Sequence, residues 1–167
     1  MKKILFSFVL FTTIISCDSK SENHNFPANA IGYTIDSSAN TDLVINAANA
    51  LVKNDTNAYK NCYSSDAIFH DNNDSANLTQ NIADIEAMFN KGIVWKLNKI
   101  GAIWETVILK PGSDGITSFV NSYQNYTLTK GNKSVNVRFS VLDDIKDGKQ
   151  VAEWLRYDKS GIAELMK

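Results

Sequence analysis

Cysteine is nearly absent: the 167-residue chain has two, Cys17 and Cys62. With one of them beside an N-terminal targeting segment, no disulfide framework can be assembled. A surplus of positive charge is lacking as well, since 17 basic side chains stand against 18 acidic ones. Such a chain has no sequence-independent hold on nucleic acid. No apolar run is long enough to span a bilayer: Ile4 to Ile15 would cover about 18 Å as a helix, against a hydrocarbon core of ~30 Å. Also missing are Cys-x-x-Cys, His-Glu-x-x-His, a phosphate-cradling glycine loop and a Ser-His-Asp order, which removes the chemistries built on them. What is present, 44% apolar and 21% charged residues, is the composition of one soluble domain, too short to be two.

The N-terminus is legible as an address. Met1-Lys2-Lys3 precedes the Ile4–Ile15 stretch, which is apolar except for Ser7, Thr12 and Thr13 and has the length of a signal-peptide h-region. Its exit, Ile14-Ile15-Ser16-Cys17, resembles the bacterial lipobox. That resemblance implies a diacylglycerol thioether on Cys17, cleavage before it and acylation of the new amino terminus. Several acyl chains, at ~0.8 kcal/mol per buried CH₂, give durable membrane attachment. The expected division is a signal peptide over 1–16, a lipidated tether over 17–39 and a folded domain over 40–167. The expected location is the bacterial cell envelope, on the outer membrane or cell surface rather than the inner membrane. Asp18 to Thr34 is polar, contains Pro27 and Gly32, and has neither a helical nor a strand period, hence the tether. His24 lies among Asn and Ser without a second ligand and is read as solvated.

Beyond the tether, Asn40 or Thr41 is placed to cap a helix carrying Leu43, Ala47, Ala50 and Leu51, and Asp55 opens a shorter one with Tyr59 and Cys62 or Tyr63 on one face. Cys62 reads as a buried thiol among aromatics. Ala67-Ile68-Phe69-His70 reads as a short strand, and Asp71-Asn72-Asn73-Asp74-Ser75 as a turn. That turn lacks the central glycine and closing glutamate of a calcium loop. Asn77 or Thr79 caps a further helix to Gly92 with Ile82, Ile85, Met88 and Phe89 as its apolar stripe. Lys99–Leu109, Ile116–Thr129, Ser134–Leu142 and Gln150–Tyr157 are rich in β-formers and separated by turn residues, which predicts a consecutive antiparallel meander. Helices first and an antiparallel sheet afterwards make an α+β arrangement.

The order of these elements, the strand entry Tyr63-Ser64-Ser65-Asp66-Ala67-Ile68-Phe69-His70-Asp71 and the closing hairpin Asp147-Gly148-Lys149-Gln150-Val151-Ala152-Glu153-Trp154-Leu155-Arg156-Tyr157-Asp158 resemble the SnoaL-like branch of the nuclear transport factor 2-like superfamily. The resemblance spans roughly residues 40 to 165. It implies a cone-shaped α+β fold, a curved antiparallel sheet wrapped around N-terminal helices, with one apolar pocket and often a homodimer formed through the outer sheet face. It also implies diverse functions, so fold alone does not decide activity. In SnoaL-like cyclases the strand after the Gly-Lys hairpin carries a catalytic aspartate directly after its tryptophan; here that position is Leu155. Leucine moves no proton.

Candidate site residues follow from chemical type. His70 and Asp71 are the general-base candidates, although neighbours in a strand point to opposite faces. Tyr63, Trp104, Tyr123, Arg138 and Trp154 are candidate ligand contacts, with the aromatic rings suited to a flat or greasy molecule. Arg138, one of only two arginines, is expected to reach solvent, to pair with Glu153 or Glu105, or to hold an anion. Asp143-Asp144 and Asp147 read as a solvated hairpin. Alternation leaves open which sheet face points inward. The expected function is a membrane-tethered pocket protein, held by lipidated Cys17, that binds a small apolar or aromatic molecule without catalysis, cofactor, metal or nucleic acid. Two alternatives stand beside it: an isomerase, cyclase or hydrolase with a pocket His or Asp as base, and a protein-interaction module on the membrane surface. An acid facing the cavity separates the enzyme from the binder.

Overall fold

Ser38 starts the first helix. In a computed structural model, which describes residues 27–167, its hydroxyl accepts from the Asn40 and Thr41 N–H groups at 3.1 and 3.0 Å while its own N–H donates to the Thr41 hydroxyl at 2.8 Å. This reciprocal cap satisfies otherwise orphaned donors and sets the helix start two to three residues before the Asn40 or Thr41 alternatives. The signal segment, His24 and Cys17 lie outside the described residues.

The elements in chain order are β1 (Gly32–Ile35), α1 (Ala39–Val52), α2 (Thr56–Lys60), β2 (Tyr63–Asp71), β3 (Asp74–Asn77), α3 (Leu78–Asn90), β4 (Val94–Ile108), β5 (Ser118–Lys130), β6 (Lys133–Lys146), β7 (Lys149–Arg156) and α4 (Ser160–Met166). Asp55 caps α2 and Asn77 caps α3, each side chain accepting an N–H at 2.9 Å. The Asp71–Ser75 patch is a tight hairpin, with Asp71 opposite Asp74 and Asn72 in the left-handed region at φ 54°. Asn72 is secured by Tyr157, giving to its carbonyl and taking its N–H at 3.2 Å each.

The strands form one curved, unclosed sheet in the order β1-β4-β5-β6-β7-β2-β3. The expected meander β4 to β7 is antiparallel throughout, and β2 lies parallel to β7. Register irregularities in β4, around Asn98 and Gly101, and in the β6–β7 pair at Asp144/Ile145 bend the long strands as bulges do. Helices α1 and α3 cover the concave side, so α+β with a wrapped sheet is the architecture found. Among the described residues, no helix is long and apolar enough to cross a membrane.

Three readings change. Gly32–Ile35, read as tether, pairs with β4 as an edge strand; four residues are too few to show a period. β4 and β6 run longer than their β-rich stretches, and β6 carries Asp143 and Asp144 into the sheet rather than into a solvated turn. A short C-terminal helix α4 packs on β5 and β6.

At Gly32 a Cβ would stand 2.4 Å from the Val107 carbonyl oxygen, and backbone cannot yield. Gly32→Ala should therefore detach β1 and lower stability by about 1–2 kcal/mol. Urea unfolding checks this, and an unchanged midpoint would refute the close approach.

Candidate active site

The two-residue period of the strands sorts the sheet into two faces, and the helices decide which is inside. On the inner face lie Gln124 and Tyr126 of β5, Phe139, Val141 and Asp143 of β6, Glu153 and Leu155 of β7, and Tyr63, Phe69 and Asp71 of β2. With Val44, Ala47, Ala48 and Leu51 from α1, and Ile85 and Met88 from α3, most of them enclose a cavity of about 450 Å³. That volume is in the range of small-molecule sites, and the wall is mostly apolar and aromatic, as such sites are.

Beside the cavity stands a carboxyl pair, of which Glu153 lines the space. Asp143 and Glu153 face each other across β6 and β7. Asp143 is 0% exposed and no protein donor reaches either of its oxygens. Burial first, then the facing Glu153 and the adjacent Asp144, pushes its carboxyl well above the usual range, so it keeps its proton. Glu153 borders the cavity. Burial raises its carboxyl to about 7, although Tyr63 and protonated Asp143 both hydrogen-bond to it and favour the charged form. The Tyr63 hydroxyl donates to Glu153 Oε2 at 2.6 Å. This is one proton shared by two acids that cannot both ionise in a dry place.

Around the pair, each tyrosine hydroxyl of the wall donates to a fixed acceptor. Tyr59 gives to Asn81 at 3.2 Å, Tyr126 to Gln124 Oε1 at 2.5 Å and Tyr157 to Asp71 at 3.0 Å. Burial raises all of these phenols, so they remain donors. Two wall groups have no protein partner: the Gln150 carboxamide, through both its oxygen and its nitrogen, and the Trp95 indole N–H. Asp71, Asp74 and Asp84 also line the space, the last two exposed to solvent and so marking its mouth. Among the described residues no cluster of side chains suited to a metal ion occurs.

Of the residues expected from sequence, Tyr63 and Asp71 line the cavity. The others lie on the outer face, paired in register with outward neighbours. His70 stacks on Trp154 with centroids 3.7 Å apart, and the Trp154 indole donates to Asp144 at 3.3 Å. Trp104 sits against Tyr123 at 6.0 Å, with Tyr123 54% exposed. Arg138 is exposed beside Asn125 and joins no ion pair of the described residues. Glu153 is beyond its reach on the opposite face, and Glu105 is instead held by Asn40 at 2.7 Å. For Glu105, burial pulls its carboxyl up, but hydrogen bonds from Ser118, Ser38 and Asn40 outweigh this and keep it below the usual value. Cys62 is buried and free, with burial raising its thiol.

Asp143, Glu153 and Gln150 were not among the expected site residues. The signal for the first was the run Val135, Val137, Phe139, Val141, whose next step is Asp143. For the second it was the placement of Glu153 two residues before Leu155, on the same face.

No family model matches the chain, and no curated protein matches it. Solved structures do. An epoxide hydrolase of the LEH-like kind from Mycobacterium tuberculosis superposes with a TM-score of 0.58 at 16% identity, over 76% of this chain and 88% of that one. A candidate SnoaL-like polyketide cyclase from Shewanella denitrificans gives 0.58 at 14% identity, over 78% and 98%. A candidate polyketide cyclase from Pseudomonas putida gives 0.56 at 16% identity, over 77% and 98%. The chain therefore has the nuclear transport factor 2-like fold shared by SnoaL-like proteins. At these identities the likeness is one of fold, and the site has to be judged on its own residues.

Because Asp143 is neutral when folded and ionised above its ordinary 3.8 when unfolded, its burden on stability is absent below that pH and grows as pH rises. Asp143→Asn, which mimics the protonated acid, should match the wild type near pH 3.5 and exceed it by about 1–3 kcal/mol at pH 7.5. Chemical denaturation across that range tests this. Parallel pH curves for the two proteins would mean Asp143 is not held neutral.

Proposed function

We propose that the protein is a proton-transfer enzyme of the bacterial cell envelope, acting on a small, mostly apolar substrate in this cavity with Glu153 as general base and acid. The observation that carries the reading is a carboxyl on the cavity wall, facing Asp143 across the strands and held by the Tyr63 hydroxyl; burial pushes it up to about 7, which suits it to take and return a proton at neutral pH. A pure binder needs only an apolar wall and one anchor; a buried acid pair adds a destabilising feature that binding does not require.

The chemistry follows from the positions. The Glu153 carboxylate removes a proton from a carbon next to a carbonyl, and the released electron pair moves into that carbonyl. Returning the same proton to another atom completes an isomerisation without a co-reactant. Tyr63, hydrogen-bonded to Glu153, and protonated Asp143 fix the base in place. Leu155, where SnoaL-like cyclases carry their aspartate, also lines the cavity. An acid moved two positions along one strand stays on one face, so Glu153 supports the same kind of role from a neighbouring site. The fold neighbours described as an epoxide hydrolase and candidate cyclases are in keeping with acid–base chemistry in such a cavity.

The test is exchange of α-protons of small cyclic ketones in D₂O, followed by NMR. Exchange should accelerate as pH rises through about 7, and Glu153→Gln should slow it 10²- to 10⁴-fold while leaving the protein folded. Equal exchange by the two proteins would remove Glu153 from the chemistry.

The anchor belongs to the same proposal. Cys17 follows a lipobox-like exit, and its acyl chains would hold the domain at the membrane surface. Cys17→Ser should abolish metabolic lipid labelling and release the protein into the soluble fraction. Labelling that persists in the variant would overturn the anchor.

A further inference from the structure

The cavity has a sign. Its described wall carries the carboxyls of Asp71, Asp74, Asp84 and Glu153 and no lysine, arginine or histidine. The nearest balancing charge is Lys159, which is not part of the wall; its ammonium bridges Asp74 at 2.8 Å and Asp71 at 3.3 Å. One lysine against three carboxylates leaves the mouth negative, and both arginines lie exposed elsewhere. Within a few ångströms of a low-dielectric wall, unit charges interact by several times their strength in water. A carboxylate or phosphate ester entering here would meet like charge with no cation to receive it.

The inner wall complements a cation differently. Tyr59, Tyr63, Tyr126, Tyr157 and Trp95 present ring faces and edges around the space, and aromatic faces attract ammonium groups. The Gln150 carboxamide and Trp95 N–H, both buried and without protein partners, leave hydrogen-bonding capacity for the polar part of a guest.

Resting on the reading of this cavity as the substrate site, we propose that the substrate class is a small, mostly apolar carbonyl compound that also carries an amine, bound as its ammonium, with acids and phosphate esters excluded. The ammonium sits toward Asp74 and Asp84 at the mouth, where Lys159 already shows that an alkylammonium fits between acid side chains, and the apolar body fills the interior between α1 and the sheet.

The experiment compares three probes of one skeleton, 4-phenylbutylamine, 4-phenylbutanol and 4-phenylbutyrate, by calorimetry and saturation-transfer NMR at pH 7.5. At low salt the amine should bind at least tenfold tighter than the carboxylate, with the alcohol between. At 0.5 M salt, where exposed charges are screened over a few ångströms, the gap should shrink three- to tenfold. Asp84→Asn and Asp74→Asn, both at exposed positions that tolerate the change, should each shrink it as well. A carboxylate that binds as tightly as the amine, or a preference that neither variant alters, would overturn the proposal. Binding separates it from the catalytic reading: an amine preference kept by Glu153→Gln with no proton exchange in either protein leaves the ligand class standing and removes the enzyme. Exchange lost only in Glu153→Gln, with no amine preference in the wild type, does the reverse.

Discussion

Two carboxyls facing each other across neighbouring strands, one fully buried and the other on a mostly apolar cavity wall, with no counter-charge beside them, cannot both be ionised at little cost. The pair Asp143 and Glu153 meets this constraint by keeping one proton, and the arrangement depends on strand register. Lys146 lies opposite Lys149, with Asp147 and Gly148 both in the left-handed region at φ 51° and 68°. That two-residue turn matches the twist of the strands it joins. The extra β7 residue opposite the Asp144–Ile145 step then turns Gln150 to the same side as Glu153 and Asp143, where it is fully buried. A slip of one residue in β6 would turn Asp144 inward and Asp143 outward. A hairpin turn ten ångströms or so away along the strands therefore fixes the chemistry of the cavity.

Much of the fold could be read from the chain because its information is local. The β-rich stretches and their turn residues placed the meander strands in order, and Asp55 and Asn77 marked two helix starts. Alternation in Val135, Val137, Phe139 and Val141 identified a buried face. It did not reveal which face of the other strands joined it, because that depends on where α1 and α3 pack, which is a long-range matter. Residues chosen for their chemical type suffered from this. His70, Trp104, Tyr123, Arg138 and Trp154 share the outward parity, whereas Tyr63 and Asp71 share the inward one. Asp143 was hidden by its neighbours: two acids beside an Asp-Gly turn resemble a solvated loop, yet the period running through Val141 continues into Asp143 before the bulge.

The outer face shows why ring chemistry alone is a poor guide to a pocket. Trp154 stacks on His70 and donates to Asp144, so its polar atom is satisfied by side chains on its own side of the sheet. Nothing in that arrangement calls for a guest. On the inner side the reverse holds for Gln150 and Trp95, whose polar atoms are shielded from solvent but unmatched. The distinction between a structural aromatic and a site aromatic thus lies in whether the surrounding polar groups are already satisfied.

The absence of basic groups from the described wall has a further consequence for the acid pair. An arginine beside it would have pulled both carboxyls down and left no proton to exchange near neutrality. Without one, the charge of the pair changes by a single step around pH 7, and the next positive charge to arrive is that of a guest. An ammonium entering the cavity lowers the cost of ionising Glu153, since a nearby cation favours the carboxylate. The deprotonated base is then most available when the cavity is occupied. Under the proposed function, recognition and activation become one electrostatic event, while the empty cavity keeps its acid partly protonated and its burden on the fold smaller.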